Sequence, residues 1–186
     1  MKKTLLIIAL AAVIFLSATA GTLAYFTHED TATNVITAGD VKISLEEKSK
    51  TDDGLVPFED IDDVMPGAVV SKIVTVKNIG SQPAYIRISV ESALTLAEGV
   101  TGEVDLSLVS LDIDTEHWTL RDGFYYYNEA LEASAETSPL FTSVTFSPDM
   151  GNIYQHSKAE ISVKAYAVQS ANNGSGALDA TGWPEV

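Results

Sequence analysis

Apolar and polar residues alternate along much of the chain after residue 40. The period of two is clear in residues 41–46, 86–90 and 161–167, where every second side chain is apolar. Such alternation is typical of strands that have one face on a core and the other toward solvent. The pattern predicts an all-β fold, an antiparallel β-sandwich of the jelly-roll kind with one or two short helices.

Turn residues separate the predicted strands. Asp122-Gly123 stands between residues 118–120 and the aromatic run 124–127, and it predicts a tight hairpin because glycine readily adopts positive φ. Residues 104–108, with three alternating apolar side chains, predict a further strand. Residues 128–135 predict about two turns of helix.

The first 24 residues have the three parts of a secretory signal peptide. Lys2-Lys3 precedes an apolar run from Leu5 to Leu16, and small residues follow. The apolar run is shorter than the roughly 20 residues of a membrane span. Cleavage after Ala20 or after Ala24 fits the small-x-small rule. An uncleaved membrane anchor is the alternative.

Removal of this segment predicts a secreted protein, residues 25–186, that meets the membrane only before cleavage. Its length suits one domain, and residues 25–35 would form an N-terminal segment ahead of the sandwich. The formal net charge of −15 becomes more negative on cleavage, because two lysines and no acid are lost. Such acidity argues against nucleic-acid binding. The chain has no cysteine, so packing without disulfides must hold it together.

Motifs for catalysis are missing from the sequence. The three histidines, His28, His117 and His156, are isolated, and no HExxH pair, GxSxG elbow or phosphate-binding glycine loop is present. No residue is therefore assigned as catalytic, and the sequence leans toward a protein that is not an enzyme.

Acidic side chains are the remaining metal candidates. Asp112, Asp114 and Glu116 alternate along a predicted strand end or loop, and a second acidic group lies within residues 52–63. Neither has the spacing of an EF-hand, and a solvated acidic surface is the simpler interpretation. No cofactor is predicted, with Ca²⁺ or Zn²⁺ left open.

Aromatic residues cluster in the second half of the chain. Trp118, the run 124–127, Phe141 and Phe146 have the flat apolar faces of a carbohydrate-stacking platform. The alternative is core packing plus one row of a hairpin exposed to solvent, and the alternation favours that interpretation.

Several blocks of the chain resemble the TasA/camelysin family of exported bacterial proteins. The blocks are GTLAYFTHEDTATNVITAGDVKISL (21–45), VMPGAVVSKIVTVKNIGSQPAYIRISV (64–90), DGFYYYNEALEASAETSPLFTSVTF (122–146) and ISVKAYAVQ (161–169). The first has the family's small-x-Ala-aromatic step, followed by a short polar stretch and a strand of the (I/F)xAGxLxL kind. The second has its PG turn, strand, N-x-G loop and returning strand.

This resemblance implies a jelly-roll-like sandwich and removal of the signal by a SipW-like signal peptidase between Ala24 and Tyr25. It further implies assembly of many copies into extracellular fibres of the biofilm matrix of a Gram-positive bacterium, with the N-terminal strand of one copy completing the sandwich of the next. Carried onto this chain, the donor runs from Tyr25 to about Val35 or beyond. Its apolar anchors are Tyr25, Phe26, Val35 and Ile36.

Three alternatives remain open at the level of sequence. The N-terminal segment can fold back on its own subunit or stay loose. The family also carries a metallopeptidase label through camelysin, so a secreted metallopeptidase is a second function. A monomeric accessory protein of the cell surface that binds sugar is a third.

Overall fold

The computed structural model describes residues 35–37 and 41–184. Within these residues the protein has twelve strands and three short 3₁₀ helices, Leu106–Leu108, Asn152–Tyr154 and Ala177–Asp179. The strands are β1 (Val35–Thr37), β2 (Ile43–Thr51), β3 (Gly54–Pro57), β4 (Ile61–Val64), β5 (Val69–Ser71), β6 (Ile73–Asn78), β7 (Ala84–Thr95), β8 (Val109–Leu111), β9 (Trp118–Arg121), β10 (Phe124–Tyr127), β11 (Ser143–Phe146) and β12 (Ser157–Gln169). No helix in this part of the chain has the length and apolar character to cross a membrane.

The strands form one large sheet and two small ones. The large sheet has the order β1-β12-β7-β10-β9, with β4 also paired to β12, and the small sheets have the orders β5-β11-β8 and β3-β2-β6. All pairs are antiparallel except β1 with β12. The segment that precedes β11 connects the small sheets, because the Thr137 N–H donates to the Val76 carbonyl and the Lys72 N–H donates to the Thr142 carbonyl.

One main core lies between the large sheet and the two small sheets. Ile86 and Ile88 of β7 enter it from the large sheet, Val74 of β6 from one small sheet and Phe146 of β11 from the other. Each of these side chains is fully buried. Full burial of one such side chain contributes roughly 1.5–3 kcal/mol. The prediction of an all-β sandwich is confirmed.

The outer face of the large sheet carries a second, smaller apolar cluster. Tyr85 of β7, Tyr126 of β10 and Val168 of β12 are buried there, together with Ala177 and the partly buried Trp183 from the C-terminal part of the chain. The sequence placed Tyr166 on the polar side of the last strand, yet its ring is 1% exposed. This side of the sheet is therefore covered over part of its area.

The hairpin at Asp122-Gly123 is confirmed. The two residues have φ of 51° and 80° and connect β9 to β10, in which Phe124 pairs with Arg121. Positive φ at both central positions is the geometry of a type I′ turn, whose twist matches that of the flanking strands.

Two predicted elements are wrong. Residues 104–108 contain a 3₁₀ helix instead of a strand, because the Asp105 carboxylate accepts hydrogen bonds from the N–H and hydroxyl of Ser107 and caps that turn. Residues 128–135 form no helix, because the backbone of Leu131 exchanges both of its hydrogen bonds with Ala84. An extended residue tied to a neighbouring strand cannot also close an i→i−4 ladder.

Candidate functional site

The two edges of β12 are used differently. On one edge β7 pairs with β12 from Lys158 to Gln169 without interruption. On the other edge lie only two short strands, β4 at Ser157 and Ala159 and β1 at Ala165 to Ala167. Among the described residues, no strand pairs with this second edge between Glu160 and Lys164. A strand edge without a partner offers N–H and C=O groups to another strand.

Side chains at this free stretch belong partly to the core. Ile161 is buried and Val163 is half-buried, and both pack with the main core. Residues 160–164 of β12 therefore combine backbone that has no strand partner among the described residues with apolar side chains close behind it. This combination suits an added strand, which brings hydrogen bonds and apolar burial together.

The β4 end of the edge has two close charge pairs. The His156 Nδ1 lies 2.6 Å from the Asp63 carboxylate, and the Lys158 Nζ lies 3.3 Å from the Asp60 carboxylate. Asp63 and His156 have φ of 63° and 60°, so both lie in the left-handed region beside an irregularity in the β4–β12 register. All four side chains are exposed, and pairs of this kind contribute about 0–1 kcal/mol each.

An open groove of about 590 Å³ lies next to the start of β4. Its apolar lining includes Val56, Phe58, Ile61 and Val70, and Ser49, Glu59 and Asp60 add polar groups. Ile61 belongs both to this groove and to the β4–β12 pairing. The groove and the β12 edge therefore adjoin each other.

Only part of the predicted donor segment lies in the described residues. Val35 and Ile36 are in β1, where they pair in parallel with Ala165 and Tyr166 of the same chain. Tyr25, Phe26 and the cleavage position at Ala24 lie outside the described residues. In the single chain, β1 thus folds back on its own sheet, and donation of this segment to another copy stays a prediction.

The acidic residues proposed for metal binding make structural hydrogen bonds. The Asp112 carboxylate accepts from the backbone N–H groups of Thr142 and Ser143 and from the Thr142 hydroxyl. The Asp114 carboxylate accepts from the N–H groups of Glu116 and His117 and lies 2.7 Å from the His117 Nδ1.

These hydrogen bonds decide the ionisation of both carboxyls. Burial by itself would raise the pKa of Asp112, but the hydrogen bonds from Thr142 and Ser143 outweigh it and hold that pKa below 3.8. Burial also raises the pKa of Asp114, but the hydrogen bonds from His117 and Glu116 lower it by a larger amount, so this pKa too lies below 3.8. Both groups stay ionised in mild acid because their anionic form is the better acceptor.

The described residues contain no group of three or more His, Asp or Glu side chains placed to hold a metal ion. The carboxylates of Asp112 and Asp114 accept hydrogen bonds from loop backbone. Glu116 takes part through its main-chain N–H, which donates to the Asp114 carboxylate. As arranged, the three side chains do not fit a metal ion, and binding of Ca²⁺ or Zn²⁺, which the sequence left open, stays open. His28 lies outside the described residues.

The aromatic residues of the second half are mostly core. Trp118, Phe141 and Phe146 are almost fully buried, and Tyr126 and Tyr127 are buried as well. The Trp118 Nε1–H donates to the Ser138 carbonyl, and its ring lies 5.0 Å from that of Tyr127. Core packing, the favoured interpretation of these residues, is what the structure shows, because buried rings cannot stack on a sugar.

Comparison with protein families identifies a match over the N-terminal part of the chain. The sequence model of the camelysin metallo-endopeptidases matches residues 1–99, which is more than half of the chain. The chain belongs to the camelysin family. No curated protein and no solved structure matches it.

The match to the camelysin family covers the N-terminal part of the chain and ends a few residues after β7. It therefore includes the first two resemblance blocks and β1, β4 and the groove, while β12 lies outside it. The free edge of β12 carried no signal in the sequence. The alternation in residues 161–167 predicted a strand. The strands that flank it are determined by contacts with residues far away in the chain, which the alternation does not encode.

Proposed function

We propose that this camelysin-family protein is an exported structural protein whose copies assemble into extracellular fibres of the biofilm matrix. The joining element is the N-terminal strand, which leaves its own subunit and pairs with the next. The observation that carries the proposal is β1, an edge strand of three residues that lies beside a stretch of β12 without a strand partner among residues 35–37 and 41–184.

Exchange of β1 between copies conserves its pairing. The three residue pairs with Ala165, Tyr166 and Ala167 can form within one chain or between two, so neither form has more hydrogen bonds along β1. A head-to-tail exchange does not close on itself and therefore propagates into a filament. Residues 38–40 between β1 and β2, which include Gly39, are the hinge in this scheme.

A donor strand longer than β1 gains further contacts. Continued backward from Val35 in the same register, it runs beside the free stretch from Lys164 to Glu160. The residues before it then reach the β4 end, at roughly 3.3 Å per residue. There the apolar groove at Phe58 and Ile61 receives the anchors Tyr25 and Phe26. Cleavage after Ala24 by a SipW-like peptidase would free this aromatic start.

A reversible cysteine lock tests strand exchange directly. Val35→Cys with Ala165→Cys places two cysteines opposite each other in the β1–β12 pair of a chain that has none of its own. Oxidised residues 25–186 with this pair should stay monomeric, because β1 cannot leave, and reduction should restore filaments in negative-stain images. A control, Ser89→Cys with Lys164→Cys, bridges β7 and β12 and should polymerise in both redox states.

Filaments from the oxidised Val35–Ala165 pair at the same rate as from the reduced protein would contradict strand exchange. A version that starts at Asp40 lacks the donor altogether and should give no filaments at any pH from about 4 to 8. Monomers from the unmodified residues 25–186 under all these conditions would contradict fibre assembly itself.

A secreted metallopeptidase is the second function, and only the family description favours it. Chelator-sensitive cleavage of a protein substrate by purified residues 25–186, with a stoichiometric bound metal, would support it. Because the described residues hold no ligand group for a metal, such activity would have to use residues outside 35–37 and 41–184 or a rearranged site.

A further inference from the structure

The last part of the described chain returns across the outer face of the large sheet. Ala177 is buried, and Trp183 packs with its ring 5.7 Å from that of Tyr126 in an edge-on arrangement. Residues 170–184, here called the C-terminal latch, thus cover the small apolar cluster around Tyr85 and Val168.

Arg87 is the anchor beneath the C-terminal latch. Its guanidinium carbon lies 4.0 Å from the ring centre of Phe124 and 4.8 Å from that of Trp183, so one cation sits between the sheet and the latch. Its Nη2 donates to the Pro184 carbonyl, whereas its buried Nε has no hydrogen-bond partner among the described residues. Cation–π contacts contribute about 0.5–2 kcal/mol when partly desolvated. The latch is therefore held at its far end by a modest interaction.

Asn173 ties the near end of the latch. Its Nδ2 donates to the carbonyls of Gln169 and Thr181, at 3.0 Å and 3.1 Å. Its Oδ1 accepts from the N–H and the hydroxyl of Thr181. One side chain thus joins the end of β12 to the residue two positions before Trp183, and it needs both the donors and the acceptor of an amide.

The residue after Asn173 is glycine, and the chain has no other Asn-Gly step. Gly174 has φ of 81°, and a Cβ there would lie 2.9 Å from the Asp179 backbone. Its N–H makes no hydrogen bond within the described residues. A glycine N–H without a side chain beside it is the least hindered backbone nucleophile for the preceding amide.

We propose that Asn173 is a deamidation site that opens the C-terminal latch irreversibly. The deprotonated Gly174 nitrogen attacks Cγ of Asn173, a new N–Cγ bond forms, and the Cγ–Nδ2 bond breaks with release of ammonia. Water then opens the cyclic imide and leaves aspartate or isoaspartate. No oxidant or enzyme is required, and asparagine is among the thermally labile residues for this kind of reason.

The aspartate or isoaspartate that forms cannot make the hydrogen bonds that Asn173 makes to Gln169 and Thr181. An aspartate carboxylate has no donor for the carbonyls of Gln169 and Thr181, and it faces both oxygens with a negative charge. Isoaspartate also adds a carbon to the backbone of a loop that has no spare room beside Gly174. Release of the latch exposes Arg87 and the ring of Tyr126, both of which Trp183 contacts.

While the latch is closed, the hydrogen bonds of the Asn173 side chain slow the reaction. They prevent the side-chain rotation that would bring Cγ within reach of the Gly174 nitrogen. Conversion therefore follows transient opening. Trp183→Ala, which removes the contacts with Arg87 and Tyr126, should raise the conversion rate several-fold, whereas Trp183→Phe should raise it less.

Ageing of the full-length protein at neutral and mildly alkaline pH tests the site. Peptide mapping should show a mass gain of about one dalton at residue 173, with isoaspartate present, and faster conversion at higher pH. Full retention of Asn173 in the folded protein, under conditions that convert it in the urea-unfolded chain, would overturn the proposal.

A charge mimic tests the consequence separately. Asn173→Asp should speed hydrogen exchange of residues 177–184 about tenfold or more, since two hydrogen bonds are lost. Asn172→Asp is the matched control, because the Asn172 side chain makes no hydrogen bond within the described residues, and it should leave exchange unchanged. Exchange in Asn173→Asp equal to that in the control would contradict the latch role. Exchange in the core strand β7 reports whether either variant has unfolded more widely.

Discussion

At the scale of single residues, Asn78 is the polar group on which the loop after β6 depends. It is fully buried, and its Nδ2 donates to the carbonyls of Gln82 and Leu131 while its Oδ1 accepts from the Gly80 N–H. Both of its donors and its acceptor are thus used by backbone groups of this loop and of Leu131. Buried polar groups of this kind are expensive to leave unpaired.

Asn78→Asp keeps the shape of the side chain, removes both donors and buries a charge. We expect the free energy of unfolding to fall by about 3 kcal/mol or more, as measured by urea denaturation. Asn152→Asp is the control, since that side chain is exposed and makes no hydrogen bond in the described residues, and it should change stability by less than about 0.5 kcal/mol. Equal effects of the two substitutions would contradict the assignment.

Lys72 and Glu47 form a buried ion pair, with Nζ 2.8 Å from Oε1 and only 3% and 15% of the side chains exposed. Within the described residues the Glu47 Oε1 has no hydrogen bond of good geometry despite this distance, so charge attraction holds the pair. The Phe58 ring also lies 3.8 Å from Nζ. Such a pair is sensitive to the loss of one partner.

Lys72→Ala leaves Glu47 buried without a cation, and we expect a loss of about 3–5 kcal/mol in unfolding free energy. The double variant Lys72→Met with Glu47→Leu should recover most of that stability, because apolar side chains of similar volume need no desolvated charges. Thermal and urea unfolding measure both. A double variant as unstable as Lys72→Ala would show that the pair itself, rather than an uncompensated charge, matters.

Asp112 makes stability depend on pH. Its pKa is lower in the folded chain than the ordinary value of 3.8, so its contribution is complete above that value and disappears as the pH falls through the folded pKa. Asp112→Asn should therefore lower the unfolding free energy by about 1 kcal/mol at neutral pH and by progressively less below pH 3.8. Asp149→Asn, at a carboxylate without hydrogen bonds in the described residues, should change the unfolding free energy at neutral pH by less than about 0.5 kcal/mol. A constant difference between Asp112→Asn and the unchanged protein down to the acid transition would contradict the linkage.

At the scale of elements, the β9–β10 hairpin isolates the effect of backbone conformation. A Cβ at Gly123 would meet nothing within 4 Å, so only its φ of 80° opposes a side chain. Gly123→Ala should destabilise the protein by about 1 kcal/mol. Gly151→Ala is the matched control, with equal free space and φ of −74°, and should be neutral or slightly stabilising. The unfolding free energies of the two variants are measured in parallel. Equal losses of unfolding free energy would exclude the turn geometry as the cause of the destabilisation.

Prediction of elements succeeded where the pattern was local and strong. The hairpin and the strands β2, β7 and β12 are present because alternation and turn residues act within a few positions. The helix at residues 128–135 failed because Leu131 pairs with Ala84, a tertiary contact that overrides helix propensity. The strand at residues 104–108 failed because a single side chain, Asp105, caps a tight turn there.

At the scale of the whole molecule, net charge governs how copies approach each other. The full chain has a formal charge of −15 and a pI near 4.3, so like-charge repulsion opposes assembly at neutral pH. Light scattering should show faster assembly of residues 25–186 at about pH 4.3 or in added salt than at pH 8 in low salt. Asp112 and Asp114 remain ionised at that pH because their pKa values lie below 3.8, so their loops stay in place. Equal rates at both pH values would contradict repulsion as the barrier.

The sequence by itself determined the strand periodicity, the hairpin turn, the acidic charge and the family, because each depends on residue identity or on neighbours a few positions apart. Tertiary structure alone decided which edge of β12 is left partly without a partner among the described residues, that β1 lies on that edge, and that the C-terminal latch covers Arg87. The last of these joins residues 97 positions apart, and the Asp63–His156 pair joins residues 93 apart. No short-range pattern encodes such contacts, since they form only when the sheets pack and close long loops.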